Sequence, residues 1–134
     1  PNGIPGAEDR FGLLYTYGVA AGRISLQVFV SAVSTAAAKL FGLYPRKGTL
    51  TVGSDADIVA WDPAVRRTIR AATQVQRVDY NPYEGFEQAG MARHVFLRGS
   101  LVVKNGEIFG GPLGEDLPRS AAISGEDRRC TGLP

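Results

Sequence analysis

The sequence predicts an α/β protein in which helices come first and short strands follow. Up to about residue 44, apolar side chains recur every three or four positions, as on one face of a helix. After Pro45 the apolar segments become short and are separated by turn-forming residues, which is typical of strands. The 134 residues are 44% hydrophobic, enough for the core of about one ordinary domain. We therefore expect helices in residues 1–44, strands in 45–110 and an irregular tail in 111–134.

The first helix is predicted from about Ala7 to Ala21, with Gly22 ending it. Glu8 and Asp9 suit a first helical turn, because negative charge is favourable at the positive end of the helix dipole. With Arg10 they are expected to form a local ion pair at the helix start. The positions at helical spacing are Phe11, Leu14, Tyr15 and Gly18.

Two further helices are predicted before Pro45, after which the spacing of the apolar residues changes. Ser25 is a suitable N-cap for the first of them, because its hydroxyl can accept a hydrogen bond from a free backbone N–H. Ser34 or Thr35 is expected to cap the next helix, Ala36–Phe41, which Gly42 then ends. The apolar face between these caps consists of Val28, Phe29, Ala32 and Val33.

The strands are predicted from short apolar runs bounded by turn residues. Thr49–Val52 is expected to be a brief extended segment. Ile58–Trp61 is expected to be a strand that Asp57 precedes and Asp62-Pro63 ends. Residues 65–71 alternate weakly and could form another strand.

A second group of strands is predicted after the turn-rich segment 79–85. His94–Leu97 and Ser100–Lys104 are expected to be strands joined at Arg98-Gly99. Asn105-Gly106 predicts a type I′ hairpin, because this turn needs positive φ at both central residues. From residue 110 onward, glycine, proline, serine and charged residues predict an irregular tail.

Composition excludes several kinds of partner. The 15 basic and 13 acidic residues give a net charge of +2 and are scattered, so a nucleic-acid surface is not expected. No apolar run approaches the roughly 18 residues that a membrane-spanning helix needs.

The one cysteine, Cys130, allows no intrachain disulfide, which suits a reducing compartment such as the cytoplasm. Because Pro1 opens the chain within a turn-forming Pro-Asn-Gly, we expect it to be cut from a longer protein.

Neither a catalytic group nor a metal ligand can be assigned from the sequence. His94 is the single histidine and has no Cys, His or carboxylate spaced around it, whereas zinc sites take several such ligands. A structural role is expected for it. Asp55 and Asp57 resemble part of a calcium loop, but the later glycine and bidentate glutamate are missing. We interpret both as turn residues whose side chains bond nearby backbone N–H groups.

The opening loop, residues 1–6, is the remaining candidate for a binding site. Its prolines and glycines leave backbone N–H and C=O groups exposed ahead of a helix, and such a loop can hold a small polar ligand. From the residues alone, we interpret it as an ordinary connecting loop rather than a binding site.

Several segments together resemble the dihydropyrimidinase and hydantoinase family, the cyclic-amide branch of the amidohydrolase superfamily. The most specific are Phe41–Gly48 (Phe-Gly-Leu-Tyr-Pro-Arg-Lys-Gly) and Tyr80–Gly85 (Tyr-Asn-Pro-Tyr-Glu-Gly). The resemblance covers about residues 1–110. The other matching segments are Pro1–Gly6 with Glu8-Asp9-Arg10, Gly22–Leu26, Ser34-Thr35, Gly53–Val59 (Gly-Ser-Asp-Ala-Asp-Ile-Val) and Arg98-Gly99.

The resemblance implies a metal-dependent hydrolase with a (β/α)₈ barrel and a small β-sandwich domain. Residues 1–44 would be the last loop and the closing helices of the barrel. Residues 45–110 would be the C-terminal part of the sandwich, and 111–134 a tail that contacts another subunit. The parent enzyme would be a cytoplasmic homotetramer of pyrimidine catabolism.

The implied reaction is hydrolysis of the cyclic amide C–N bond of dihydropyrimidines or 5-substituted hydantoins. Two divalent metals, usually zinc, carry it in the family, and their ligands would all precede Pro1. The resemblance assigns one substrate contact to this chain, through the main chain of Asn2. The isolated chain is therefore expected to be inactive and poorly stable.

Two alternatives stay open at this point. One is a non-catalytic, dihydropyrimidinase-like scaffold protein; the other is an allantoinase- or dihydroorotase-type cyclic amidohydrolase. A preceding sequence without a His-x-His motif or the metal-bridging lysine would indicate the scaffold. The segment Tyr80–Gly85 argues against the allantoinase and dihydroorotase types.

Overall fold

The computed structural model describes residues 4–111 and 113–119. The first helical run begins with α1 (Arg10–Leu14) and continues as a π-helical segment, Tyr15–Ala20. The second begins with α2 (Leu26–Val30), passes through another π-helical segment, Ser31–Thr35, and ends with α3 (Ala36–Leu40). Among these residues, no helix is long and apolar enough to cross a membrane.

Of the two helix caps predicted from the sequence, one is confirmed and the other is wrong. The Ser25 cap is confirmed, since its hydroxyl accepts the N–H of Val28 at 3.2 Å. The cap predicted at Ser34 or Thr35 is wrong, because the helix passes through these residues without interruption. Thr35 has helical backbone angles, and its hydroxyl donates to the carbonyl of Gly48 at 2.7 Å. The hydroxyl thus ties the helix to the following loop instead of starting a new helix.

The strands form one antiparallel sheet in the order β1-β2-β3-β4. Their bounds are Ile58–Thr68, Glu87–Leu97, Ser100–Lys104 and Glu107–Ile108, and a short 3₁₀ turn, Ala71–Thr73, follows β1. The Asn105-Gly106 hairpin is confirmed, with φ of 54° and 86° at its two residues. Because each strand pairs with its neighbour in sequence, the sheet is a simple meander.

Three strand boundaries differ from those predicted. Asp62-Pro63 does not end β1, because a register shift between Asp62 and Arg66 lets the strand pass the proline. Of the strand predicted at residues 65–71, only 65–68 are in a strand, and they form the second half of β1. The strand predicted to start at His94 begins at Glu87. Residues 49–52 form no strand, and the N–H of Ser54 donates to the carbonyl of Thr51 and closes a turn over residues 51–54.

A small aromatic core joins the two helical runs to the sheet. The ring of Phe29 meets those of Phe11 and Tyr15 edge-on, with centroids 6.0 and 5.9 Å apart. Tyr15 in turn lies 5.4 Å from the ring of Trp61 on β1. Elsewhere many large apolar side chains are exposed, including Leu50 and Val52. The described chain therefore leaves apolar surface open to further packing partners.

Candidate functional site

The residue predicted to contact substrate, Asn2, lies outside the described residues. The remainder of its loop, Ile4–Gly6, is described and leads through a turn at residues 7–9 into α1. The carbonyl of Gly6 accepts the N–H groups of Asp9 at 3.3 Å and Arg10 at 3.1 Å. A side chain added at Gly6 would meet the ring of Tyr83 at 3.3 Å. The loop therefore lies against the segment Tyr80–Gly85 of the strand half of the chain.

Asp9 is the centre of a buried polar cluster beneath this loop. Its side chain is fully buried, and Oδ2 accepts the amide N–H groups of Gln74 and Asn81, both at 2.6 Å. The other oxygen, Oδ1, lies 3.9 Å from Nη2 of Arg67 and accepts no hydrogen bond. The local ion pair predicted with Arg10 is therefore wrong, because Asp9 turns inward to partners from the strand half.

Glu8 contacts the same part of the chain. Its Oε2 accepts the backbone N–H groups of Val75 at 3.0 Å and Gln76 at 3.2 Å. Both acidic residues thus hold residues 74–81 against the helix start, which sequence analysis missed. The amide-rich set Gln74, Gln76 and Asn81 was the available signal, but nothing local in the sequence pairs it with Glu8 and Asp9.

A cavity of about 820 Å³ opens beside the loop. One wall is aromatic, since Phe86 lies 6.1 Å from Tyr17 and 5.9 Å from Tyr83, centroid to centroid. Ile4, Pro5 and Gly6 form another side, and Arg10 and Arg23 bring positive charge to it. Apolar walls with a few polar groups are typical of sites for small molecules.

A second polar cluster joins the loop after α3 to the β2–β3 turn. Asp55 accepts hydrogen bonds from Lys47 at 2.8 Å and Arg46 at 3.0 Å. Asp57 accepts from Lys47 and, through Oδ1, from the N–H of Arg98 at 2.8 Å. The prediction of local turn hydrogen bonds for both aspartates is wrong. Their carboxylates form a network that reaches 41 residues along the chain.

This network shifts the pKa of two of its members. The hydrogen bond from Lys47 lowers the pKa of Asp55 below its ordinary 3.8, and Arg46 adds to the effect. Burial of the Lys47 ammonium opposes its charge, but hydrogen bonds to Asp55 and Asp57 outweigh this and raise its pKa above 10.5. Elsewhere, a hydrogen bond from Arg93 lowers the pKa of Asp62.

Acid is therefore expected to remove the contribution of Asp55 to stability. Since its pKa is lower folded than unfolded, that contribution is present above about pH 4 and is lost as pH falls through the folded pKa. We expect an Asp55→Asn variant to lose less stability than the wild type between pH 5 and pH 3, which urea unfolding at each pH measures. Equal acid sensitivity of the Asp55 variant and the wild type would contradict the assignment.

The described residues do not fit a metal centre. No group of three or more His, Cys, Asp and Glu side chains in this part of the chain lies close enough to hold a metal ion. His94 lies in β2, opposite Ala60 on β1 and Lys104 on β3. Any catalytic metal would need ligands from other residues.

Comparison with known proteins places this chain in a family. The sequence profile of the amidohydrolase family matches residues 6–102, which is most of the chain. The chain belongs to the amidohydrolase family. The match begins at Gly6 and covers the helices, β1, β2 and the first residues of β3 in this amidohydrolase chain.

Its relatives include proteins named D-hydantoinase, dihydropyrimidinase and dihydropyrimidinase-related protein 5. The chain is 51% identical to the D-hydantoinase of Geobacillus stearothermophilus over 112 residues, which is 84% of this chain and 24% of that protein. It is 40% identical to the dihydropyrimidinase of Rattus norvegicus, covering all of this chain and 27% of the relative.

The fold agrees with a solved structure. The D-hydantoinase from Thermus sp. superposes with a TM-score of 0.80 at 56% identity, covering 83% of this chain and 24% of that one. The resemblance seen in the sequence is thereby confirmed. This amidohydrolase chain spans about a quarter of the length of the relatives it matches.

Proposed function

We propose that this chain is part of a cyclic-amide hydrolase of the dihydropyrimidinase and hydantoinase type. The parent protein would cleave the ring C–N bond of dihydropyrimidines or 5-substituted hydantoins. The observation that carries the proposal is the 56% identity and 0.80 TM-score with a D-hydantoinase. Identity at this level extends over both the loop-and-helix half and the sheet.

The chain's own role in that enzyme is to shape and hold one side of the substrate site. Residues 1–44 are proposed to be the last loop and closing helices of a (β/α)₈ barrel, whose active site lies at its C-terminal face. The main chain of Asn2 would then bind the substrate's ring amide. Residues 45–110 are proposed to be the C-terminal part of a small β-sandwich that supports this loop.

The remaining parts of the site are assigned to the rest of the parent protein. Two divalent metal ions, which we expect to be zinc, would take their ligands there, since the described residues do not provide a set. The parent protein is proposed to be a cytoplasmic homotetramer, with the tail at 111–134 near another subunit. Its substrates are small molecules, with neither nucleic acid nor membrane as partner.

The test is hydrolysis by the metal-loaded parent protein. Dihydrouracil and a 5-substituted hydantoin, such as 5-phenylhydantoin, are offered separately, and the N-carbamoyl products are measured by chromatography. We expect at least one ring to open, activity to disappear on chelation, and activity to return when zinc is added. Allantoin and dihydroorotate serve as comparison substrates and should react far more slowly. A metal-loaded protein that opens neither dihydrouracil nor the 5-substituted hydantoin would refute the proposal and favour a scaffold role.

A further inference from the structure

We infer that Asp9 and Asn81 are positioning residues, which set the place of the loop Ile4–Gly6 from the strand half of the chain. This inference rests on the proposed function, because it assigns that loop to the substrate site. Neither side chain lines the 820 Å³ cavity beside the loop. They act through the backbone of the loop and through Tyr83.

Asn81 uses both ends of its amide for this purpose. Its Oδ1 accepts the backbone N–H of Tyr83 at 2.8 Å, and its Nδ2 donates to Asp9 at 2.6 Å and to Gln74 at 2.7 Å. The side chain is 7% exposed. A buried amide with these bonds has one orientation, and that orientation fixes where Tyr83 stands relative to Asp9.

Tyr83 and Asp9 then hold Gly6 from two sides. The ring of Tyr83 packs on Gly6 so closely that an added side-chain carbon would lie 3.3 Å from Cε2. The N–H of Asp9 donates to the Gly6 carbonyl at 3.3 Å. The contacts close a ring that runs from Gly6 to Asp9, Asn81, Tyr83 and back to Gly6. A shift of any member moves the end of the loop.

The chemistry of the cluster favours positioning over stability alone. A buried carboxylate costs free energy unless it is well bonded, and Asp9 leaves Oδ1 without a hydrogen bond. An apolar residue in such a place often gives equal or greater stability. The carboxylate of Asp9 instead accepts directed, charge-assisted hydrogen bonds from the side-chain amides of Gln74 and Asn81, which belong to a distant segment.

The inference is tested in the full-length parent protein with Asn81→Asp and the exchanged double variant Asp9→Asn/Asn81→Asp. The single change places two carboxylates against each other, whereas the double change restores a donor opposite an acceptor. Because the loop binds substrate without reacting, its displacement should raise KM on the order of 10-fold with a smaller change in kcat. The double variant should return KM to within about 3-fold of the wild type. A merely structural role would lower the active fraction, and therefore kcat, at unchanged KM.

Asp57→Asn is the control, since it removes a carboxylate from the other polar network, in which the Asp57 side chain is 31% exposed. It should lower the melting temperature but leave KM unchanged. Asn81→Ala replaces Asn81→Asp should the latter not fold, and is expected to raise KM in the same way. A fall in kcat alone, or an equal rise in KM for Asp57→Asn, would overturn the inference.

Hydrogen exchange at the amides of Asp9 and Arg10 gives a readout independent of activity. Both amides donate to Gly6, so we expect Asn81→Asp to speed their exchange and the double variant to restore protection. If the wild-type protein opens no cyclic amide, the proposed function fails, while this measurement still decides whether the cluster positions the loop. Unchanged exchange in Asn81→Asp would overturn the inference on its own.

Discussion

Replacing Gly48 with alanine is expected to destabilise the parent protein by about 2–5 kcal/mol, combining backbone strain with overpacking. Gly48 has φ of 83°, a conformation that alanine adopts only with strain. Its added carbon would also lie 2.6 Å from Cβ of Ala38 and 3.2 Å from Cα of Thr35. Neither neighbour is the end of a flexible side chain, so the loop or the helix must move. Urea unfolding of the parent protein measures the loss.

Gly99→Ala is the matched control for this prediction. Gly99 has φ of 82°, but an added carbon there would meet no atom within 4 Å. Only backbone strain is expected, so the cost should be about 1–2 kcal/mol. Equal costs at Gly48 and Gly99 would show that the contact with α3 contributes nothing.

The same pair of glycines shows which parts of the fold the sequence could predict. A turn such as Asn105-Gly106, or a cap such as Ser25, depends on groups within a few residues, and both are confirmed. The contact of Gly48 with Ala38 and Thr35 depends on how the loop after α3 folds back against the second helical run. Sequence patterns predict local turns and caps of this kind, but they say little about contacts between a loop and a helix.

The errors at Thr35, Asp9 and Asp57 have this cause in common. The sequence correctly predicts a hydrogen-bonding role for each of these residues, but it predicts a local partner. In the structure the partners of Thr35, Asp9 and Asp57 lie 13, 72 and 41 residues away. A hydroxyl or carboxylate bonds whichever donor or acceptor the tertiary fold brings near, and local propensity cannot specify it.

The prediction of the candidate site rests on different grounds from the prediction of the fold. Asn2 was assigned by resemblance, and no periodicity or motif in the loop would have singled it out. The polar cluster beneath the loop became visible only in three dimensions, because Asp9 and Asn81 belong to opposite halves of the chain. Yet both lie in segments that carried the resemblance, at Glu8-Asp9-Arg10 and Tyr80–Gly85. The hydrogen bond between Asp9 and Asn81 therefore explains in part why these two segments contain the residues that they do.

Replacing Phe29 with alanine is expected to cost about 3–5 kcal/mol, the usual range for truncating a buried phenylalanine. Phe29 is 6% exposed and is the contact through which α2 meets the first helical run. Its loss would leave a cavity between Phe11 and Tyr15, and Tyr15 also contacts Trp61 of the sheet. Urea unfolding of the parent protein measures the loss, and Phe29→Leu, which keeps most of the apolar volume, should cost less than half as much.

A double-mutant cycle separates the aromatic contact from general burial. Phe11→Ala, Phe29→Ala and the double variant are unfolded in parallel, and the two rings meet edge-on at 6.0 Å. We expect a coupling free energy of about 0.5–1.5 kcal/mol, as for other edge-to-face pairs. Strict additivity of the two single changes would show that the helices are held together by apolar area alone. A measurable coupling would instead mean that the two predicted apolar faces recognise each other through this pair.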